Sequence, residues 1–244
     1  MFRLSRSRVV LAAAISLVAC STLAQSSALA QQDWPNMARY SAENAKLPAP
    51  RRGENRVVFM GDSITDGWRI TVSFPGKPYV NRGISGQTTP QMLIRFRPDV
   101  VALKLKVVVI LAGINDIAGN TGPTTLEAIE DNLMSMVDIA QANGIAVVLA
   151  SVTPAFDFPW KKGMEPVGKI RTLNTWIKTY AADHGAVYLD YYTALVDDVG
   201  AFKSGLTTDG VHPNAKGYEV MAPLADKAIA QALSRPRSLH APVR

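Results

Sequence analysis

Twice in the first half of the chain an apolar run with no alternating polar residue halts at a glycine: Val57-Val58-Phe59-Met60 before Gly61, and Val107 to Ala112 before Gly113. Such runs suit strands covered on both faces, which is the condition of a parallel sheet flanked by helices. A third strand-like stretch, Tyr79 to Arg82, also ends at glycine, in Gly83-Ile84-Ser85-Gly86. Helical stretches fall between and after them. Pro90 opens one that reaches Phe96. Leu126, Ile129, Leu133, Met136, Val137 and Ala140 recur at helical spacing, so the pattern predicts a helix over Thr125 to Asn143, with Thr124 and Glu127 as its capping box and Gly144 as its stop. Val100 to Leu105 reads as the end of the earlier helix or its exit. A fourth strand over Ile145 to Val152, a helix from Val167 to His184, a short fifth strand over Val187 to Asp190 and a last helix over Ala215 to Leu233 complete the series. Strands alternating with helices make βαβ units with right-handed crossovers, and the expected fold is a three-layer α/β/α sandwich. No linker-like break divides Arg56 from Leu233, so residues 55–234 are expected to form one domain. The polar, Pro-containing segment 31–54 reads as an approach lying on its surface, and 235–244 as a tail.

Residues 1–30 stand apart. Arg3, Arg6 and Arg8 precede an acid-free apolar run from Val9 to Ala19, the layout of an export signal, and that run is too short to span a bilayer. Ala28-Leu29-Ala30 suits cleavage before Gln31, giving a periplasmic or secreted protein. Leu17-Val18-Ala19-Cys20 resembles the lipobox of bacterial lipoproteins, and on that alternative a lipid on Cys20 would be the chain's link to a membrane. Cys20 is the single cysteine, so either route leaves a domain without disulfides that must rely on its core. Setting the three leader arginines aside lowers the 26 basic residues to 23, against 20 acidic, and with no basic stripe no nucleic-acid partner is expected. Three histidines and a leader cysteine argue against a multi-histidine metal site, and no metal or cofactor is expected.

The polar residues at the strand ends carry the chemistry. Ser63 follows the first strand, Gly86 the second, Asn115 the third, and Asp209 with His212 precede the last helix. In a doubly wound sheet these ends converge on one crevice. A serine becomes a nucleophile when a base lies within hydrogen-bond reach and a third group fixes the tautomer of that base. Asp209 and His212, three residues apart, can face each other across one turn. His184 at a helix end and His240 in the tail are poorer candidates for the base. An acyl-transfer site also needs donors for the developing oxyanion: the backbone N–H groups of Gly86 and Ser63 and the side-chain amide of Asn115 are available. Each residue alone has an ordinary explanation, as a turn glycine, an Asx turn or a surface histidine; the set together is what carries the inference. Asp116 is expected to support the Asn115 loop and Asp62 to brace the turn before Ser63.

Gly61-Asp62-Ser63-Ile64-Thr65, Gly83-Ile84-Ser85-Gly86, Gly113-Ile114-Asn115-Asp116 and Asp209-Gly210-Val211-His212 resemble, in order and spacing, the four signature blocks of the SGNH hydrolases, also called GDSL esterases or lipases. The resemblance covers Arg56 to Leu233. It implies a flavodoxin-like sheet of five parallel strands, Ser63 as nucleophile, a triad completed by His212 and Asp209, and an oxyanion hole of Ser63, Gly86 and Asn115. Ile64 stands where the family name has leucine and Ile114 where threonine is frequent, and neither supplies a catalytic atom. The implied partner is a small-molecule or sugar ester: a short-chain acyl or acetyl ester first, with a carbohydrate O-acetylesterase, lysophospholipase or thioesterase as alternatives. The absence of a separate lid domain or long apolar insertion argues against long-chain lipids. A carbohydrate-binding module that has lost catalysis is a further alternative, against which the retention of all five site residues weighs. After the fourth strand, the loop Thr153 to Pro166 places Phe156, Phe158 and Trp160 where they could overhang the crevice. At least one is expected to line the substrate pocket; the competing expectation is that they anchor the loop or form an exposed patch.

Overall fold

The computed structural model describes residues 33–235. The leader, Cys20 and the tail beyond Arg235 lie outside the described residues. Five strands form one sheet in the order β2-β1-β3-β4-β5, all parallel. They are β1 (Val57–Gly61), β2 (Tyr79–Gly83), β3 (Val107–Leu111), β4 (Ala146–Ala150) and β5 (Val187–Leu189). Every residue of β1 and β3 is buried, as expected of central strands covered on both faces.

Between the strands run α4 (Thr89–Asp99), α6 (Leu126–Ala142) and α7 (Pro166–Asp183), which pack side by side on one face. Preceding them are α1 (Ser41–Lys46) and the single-turn helices α2 (Ser63–Asp66) and α3 (Ile70–Ser73); α5 (Ile114–Ile117) lies between β3 and α6. After β5 come α8 (Tyr192–Leu195) and α9 (Ala215–Ser234), and α9 returns across β3, β4 and β5 to meet α3 and α8, covering the other face. The result is the three-layer sandwich. Because the chain moves from β1 outward to β2 and then back across to β3, the strand order reverses at the β1–β3 boundary, where open α/β sheets form their crevice.

Local chemistry explains the boundaries and corrects two expectations. Helix α6 is capped by Thr125, whose hydroxyl accepts from the Ala128 N–H at 3.2 Å; the Thr124–Glu127 capping box does not form, because the chain enters the helix one residue later. Gly144 closes it at φ +68°. A capping box does form one helix earlier, where the Gln91 side chain accepts from the Thr88 N–H at 3.0 Å and Pro90 occupies the first turn of α4. That helix continues to Asp99 through Pro98, and Val101–Leu103 is a separate 3₁₀ turn. The approach segment is more firmly joined than expected: Tyr40 is buried and its hydroxyl donates to the Gly83 carbonyl, while Asn44 accepts from Arg82 at 2.9 Å and donates to Asp99 at 2.7 Å. Gly83 itself has no room for a side chain, since a Cβ there would collide with the backbone of Thr65 and Asp66 in α2. This close approach seats the turn carrying Ser63 against the end of β2.

Candidate active site

Ser63 is the first residue of α2, directly after β1. Asp62 caps the turn, its Oδ1 accepting from the Ile64 N–H at 3.0 Å, and the Tyr218 hydroxyl of α9 holds the Ile64 carbonyl at 2.8 Å. The geometry presents the serine hydroxyl at the carboxyl end of the sheet, at the switch between β1 and β3. There Ser63 Oγ lies 2.9 Å from His212 Nε2, although the two residues are 149 apart in the chain.

His212 is held twice by one carboxylate. Asp209 Oδ2 lies 2.8 Å from His212 Nδ1, and Asp209 Oδ1 accepts the His212 backbone N–H at 2.8 Å and that of Val211 at 3.0 Å. A carboxylate can only accept here, so Nδ1 carries the proton and Nε2 presents its lone pair to the serine hydroxyl. Burial works against the charge on Asp209, but the hydrogen bonds from the His212 backbone and ring and from Val211 outweigh it and hold the carboxyl below its ordinary range. Gly210 makes the turn possible at φ +90°.

Asn115 is buried on α5, which follows β3, the strand next to β1. Its Nδ2 donates to the Gln87 carbonyl at 3.0 Å and its Oδ1 accepts from Asn120 Nδ2 at 2.8 Å. That fixes which end of the amide is nitrogen and leaves its second N–H unspent. Gly86 adopts φ +79°, and its carbonyl accepts from Asn120 at 3.3 Å. Among the described residues no acceptor stands against the backbone N–H of Ser63 or of Gly86. Three donors are therefore available at this end of the sheet. Asp116 secures the loop: both carboxylate oxygens accept the Thr89 N–H at 3.0 Å, and Oδ1 accepts the Thr89 hydroxyl at 2.6 Å, tying α5 to the start of α4. Burial pushes the Asp116 carboxyl up against these bonds. Asp62 is fully buried, its Oδ2 has no partner among the described residues, and burial pushes its carboxyl up to about 7, opposed by the Ile64 hydrogen bond and the nearby His212.

The sequence reading passed over a buried brace beneath this arrangement. Arg95, on α4, has no exposed surface; it donates to the Gly61 carbonyl at 3.0 Å, to the Gln87 side chain, and to Asp99 at 3.0 Å. Gln87 in turn donates to the Pro35 carbonyl at 2.6 Å, so the strap before α1, the end of β1 and the Gly86 loop meet at one guanidinium. No local pattern marks Arg95, because an arginine on an amphipathic helix ordinarily faces water.

The three aromatics of the β4–α7 loop have three different fates. Phe158 is fully buried and anchors the loop; Phe156 is 59% exposed. Trp160 is 44% exposed and lies against Phe158, with centroids 5.3 Å apart, and beside the His212 ring at 5.9 Å. His184 stacks on Tyr180 at 4.0 Å at the end of α7. Among the described residues no three His, Cys, Asp or Glu side chains gather as metal ligands would.

The GDSL-like lipase/acylhydrolase family pattern matches residues 59–220. A solved GDSL-like lipase from Bacteroides thetaiotaomicron is 43% identical, with a TM-score of 0.79 over 82% of this chain and 99% of that one. An acetylxylan esterase of Geobacillus stearothermophilus is 24% identical over 205 residues, covering 68% of this chain and 90% of that enzyme. Another, from Xylanibacter ruminicola, is 27% identical over 222 residues, covering 75% of this chain but 45% of that enzyme.

Proposed function

Since the chain belongs to the GDSL-like lipase/acylhydrolase family and is a carboxylic ester hydrolase, we propose that it works as a serine esterase on acetyl or other short acyl esters of carbohydrates, through an acyl-enzyme on Ser63. The observation that carries the chemistry is the unbroken relay Ser63–His212–Asp209, at 2.9 and 2.8 Å. Ser63 Oγ attacks the ester carbonyl carbon while His212 Nε2 takes its proton. The carbonyl oxygen becomes an oxyanion facing the Ser63 and Gly86 N–H groups and the free N–H of Asn115. As the intermediate collapses, the bond to the alcohol oxygen breaks and the imidazolium returns its proton to that oxygen. Water, deprotonated by the same imidazole, then cleaves the acyl–Ser63 ester and regenerates the hydroxyl. Asp209 holds the ring's tautomer and stabilises its transient charge throughout.

The carbohydrate side of the reading is supported by two relatives that are themselves named acetylxylan esterases. Export guided by residues 1–30 is part of the same proposal, since it would bring the enzyme to polymeric substrate outside the cell. A fluorophosphonate probe should label wild-type protein at Ser63, and Ser63→Ala should lose labelling and ester hydrolysis while unfolding at nearly the wild-type temperature. Full activity in Ser63→Ala would overturn the assignment; a folded, unlabelled and inactive wild type would favour a binding module.

A further inference from the structure

We infer that the indole of Trp160 is a carbohydrate subsite for the departing alcohol, placed on the His212 side of the crevice; the inference deepens the proposed function and rests on it. The chemistry divides the crevice into two flanks. The carbonyl oxygen turns toward Asn115 and Gly86, whereas the alcohol oxygen must come within reach of His212 Nε2, because that nitrogen returns the proton. A group beside the imidazole therefore meets the alcohol. Trp160 is that group, with its ring centre 5.9 Å from the imidazole and the planes inclined at 41°.

An indole left 44% exposed could be incidental, but this one is held on several sides. Phe158, wholly buried, supports it at 5.3 Å. Its Nε1 donates to Asn120 Oδ1 at 3.2 Å, and the Asn120 amide continues to Asn115 Oδ1 and the Gly86 carbonyl. The neighbouring Lys161 is pinned through its ammonium to the Gly119 carbonyl at 3.3 Å. The ring is thus positioned before any substrate arrives, at little further entropic cost.

Its surroundings suit a sugar better than an alkyl chain. A pyranose offers a C–H face for an aromatic plane and a rim of hydroxyls for polar groups. Around Trp160 the polar rim is present in the exposed Asn120, which accepts from the indole, and the neighbouring exposed Lys161. A fatty alcohol would instead want a concave apolar wall. Phe158, the aromatic that could have extended such a wall, is turned wholly into the core.

The test compares wild type, Trp160→Ala and Trp160→Phe on two series: acetyl esters of ethanol and of methyl β-xylopyranoside, and ethyl esters of acetic, propionic and butyric acid. Loss of an aromatic contact is worth roughly tenfold in kcat/KM, so Trp160→Ala should lose about that much more on the xyloside acetate than on ethyl acetate. Trp160→Phe keeps a smaller aromatic face while losing the bond to Asn120, so it should recover most of the difference. The ranking of the three acids should be the same in all proteins. Equal losses on both alcohols would overturn the inference, because Trp160 would then act through Asn120 or His212; a changed ranking of the acids would overturn it by assigning Trp160 to the acyl side. If wild type cleaves ethyl acetate but never the xyloside acetate, the subsite falls while the serine esterase stands. If wild type cleaves neither and resists the fluorophosphonate probe, the proposed function itself has failed.

Discussion

Asn115 shows how one side chain can be committed by its neighbours. Gln87 takes one amide hydrogen and Asn120 occupies the carbonyl, so the remaining N–H has a defined direction before substrate binds. A donor of this kind acts on charge that exists only in the transition state. Asn115→Ala should therefore lower kcat by about 10²- to 10³-fold with a smaller change in KM. A loss wholly in KM would make Asn115 a binding residue instead. Asp62 is a different case, a carboxyl buried one residue before Ser63 with one oxygen unpartnered among the described residues. Its folded value is raised from 3.8 to about 7, so between these values the folded state holds a proton that the unfolded state has released. Stability from this group is fully present below about 4 and is lost as the pH rises through about 7, in total on the order of 4 kcal/mol. Asp62→Asn cannot ionise, and its unfolding temperature should gain on wild type between pH 4 and about pH 7 and level off above that. A constant difference across that range would mean that Asp62 titrates as an ordinary carboxyl.

Among the elements, α4 does most to hold the part of the crevice that carries Asn115 and Gly86. Its first residue, Thr89, is bound by Asp116, and its interior Arg95 reaches the end of β1 and the Gln87 side chain at once. A buried guanidinium is tolerated only with its bonds complete. Here burial lowers the pKa of Arg95 and the pairing with Asp99 opposes that shift. Arg95→Met would leave the buried Asp99 carboxylate with Asn44 as its remaining donor, leave Gln87 Oε1 with none among the described residues, and take one of two donors from the Gly61 carbonyl, so it should destabilise by about 3–5 kcal/mol in urea denaturation. Adding Asp99→Leu should recover part of that loss, because the stranded carboxylate goes with it. A cost below about 1 kcal/mol for the single variant would show that water or repacking replaces the brace. The β4–α7 loop teaches a related lesson: three aromatics within five residues look equivalent in sequence, yet one is core, one is exposed and one flanks His212.

For the whole molecule, the parallel order β2-β1-β3-β4-β5 draws the loops after β1, β2 and β3 and the turn before α9 to one end of the sheet. Much of this was legible in the chain alone, since buried parallel strands need unbroken apolar runs, helices need a 3.6-residue period, and glycines must stand where the backbone turns or is closely approached. Those are local requirements, and they marked the five strands, the main helices and the polar residues at the strand ends. Even the pairing of His212 with Asp209 was accessible, because three residues of chain bring the two together. What the sequence could not decide was whatever depends on contacts across the fold. The 2.9 Å between Ser63 and His212, the burial of Arg95, the anchoring of Tyr40 and the different fates of Phe156, Phe158 and Trp160 all follow from which surfaces face each other once the sheet closes. Residue type states what a side chain can do; only tertiary packing, by removing water and supplying distant partners, settles whether it is asked to do it.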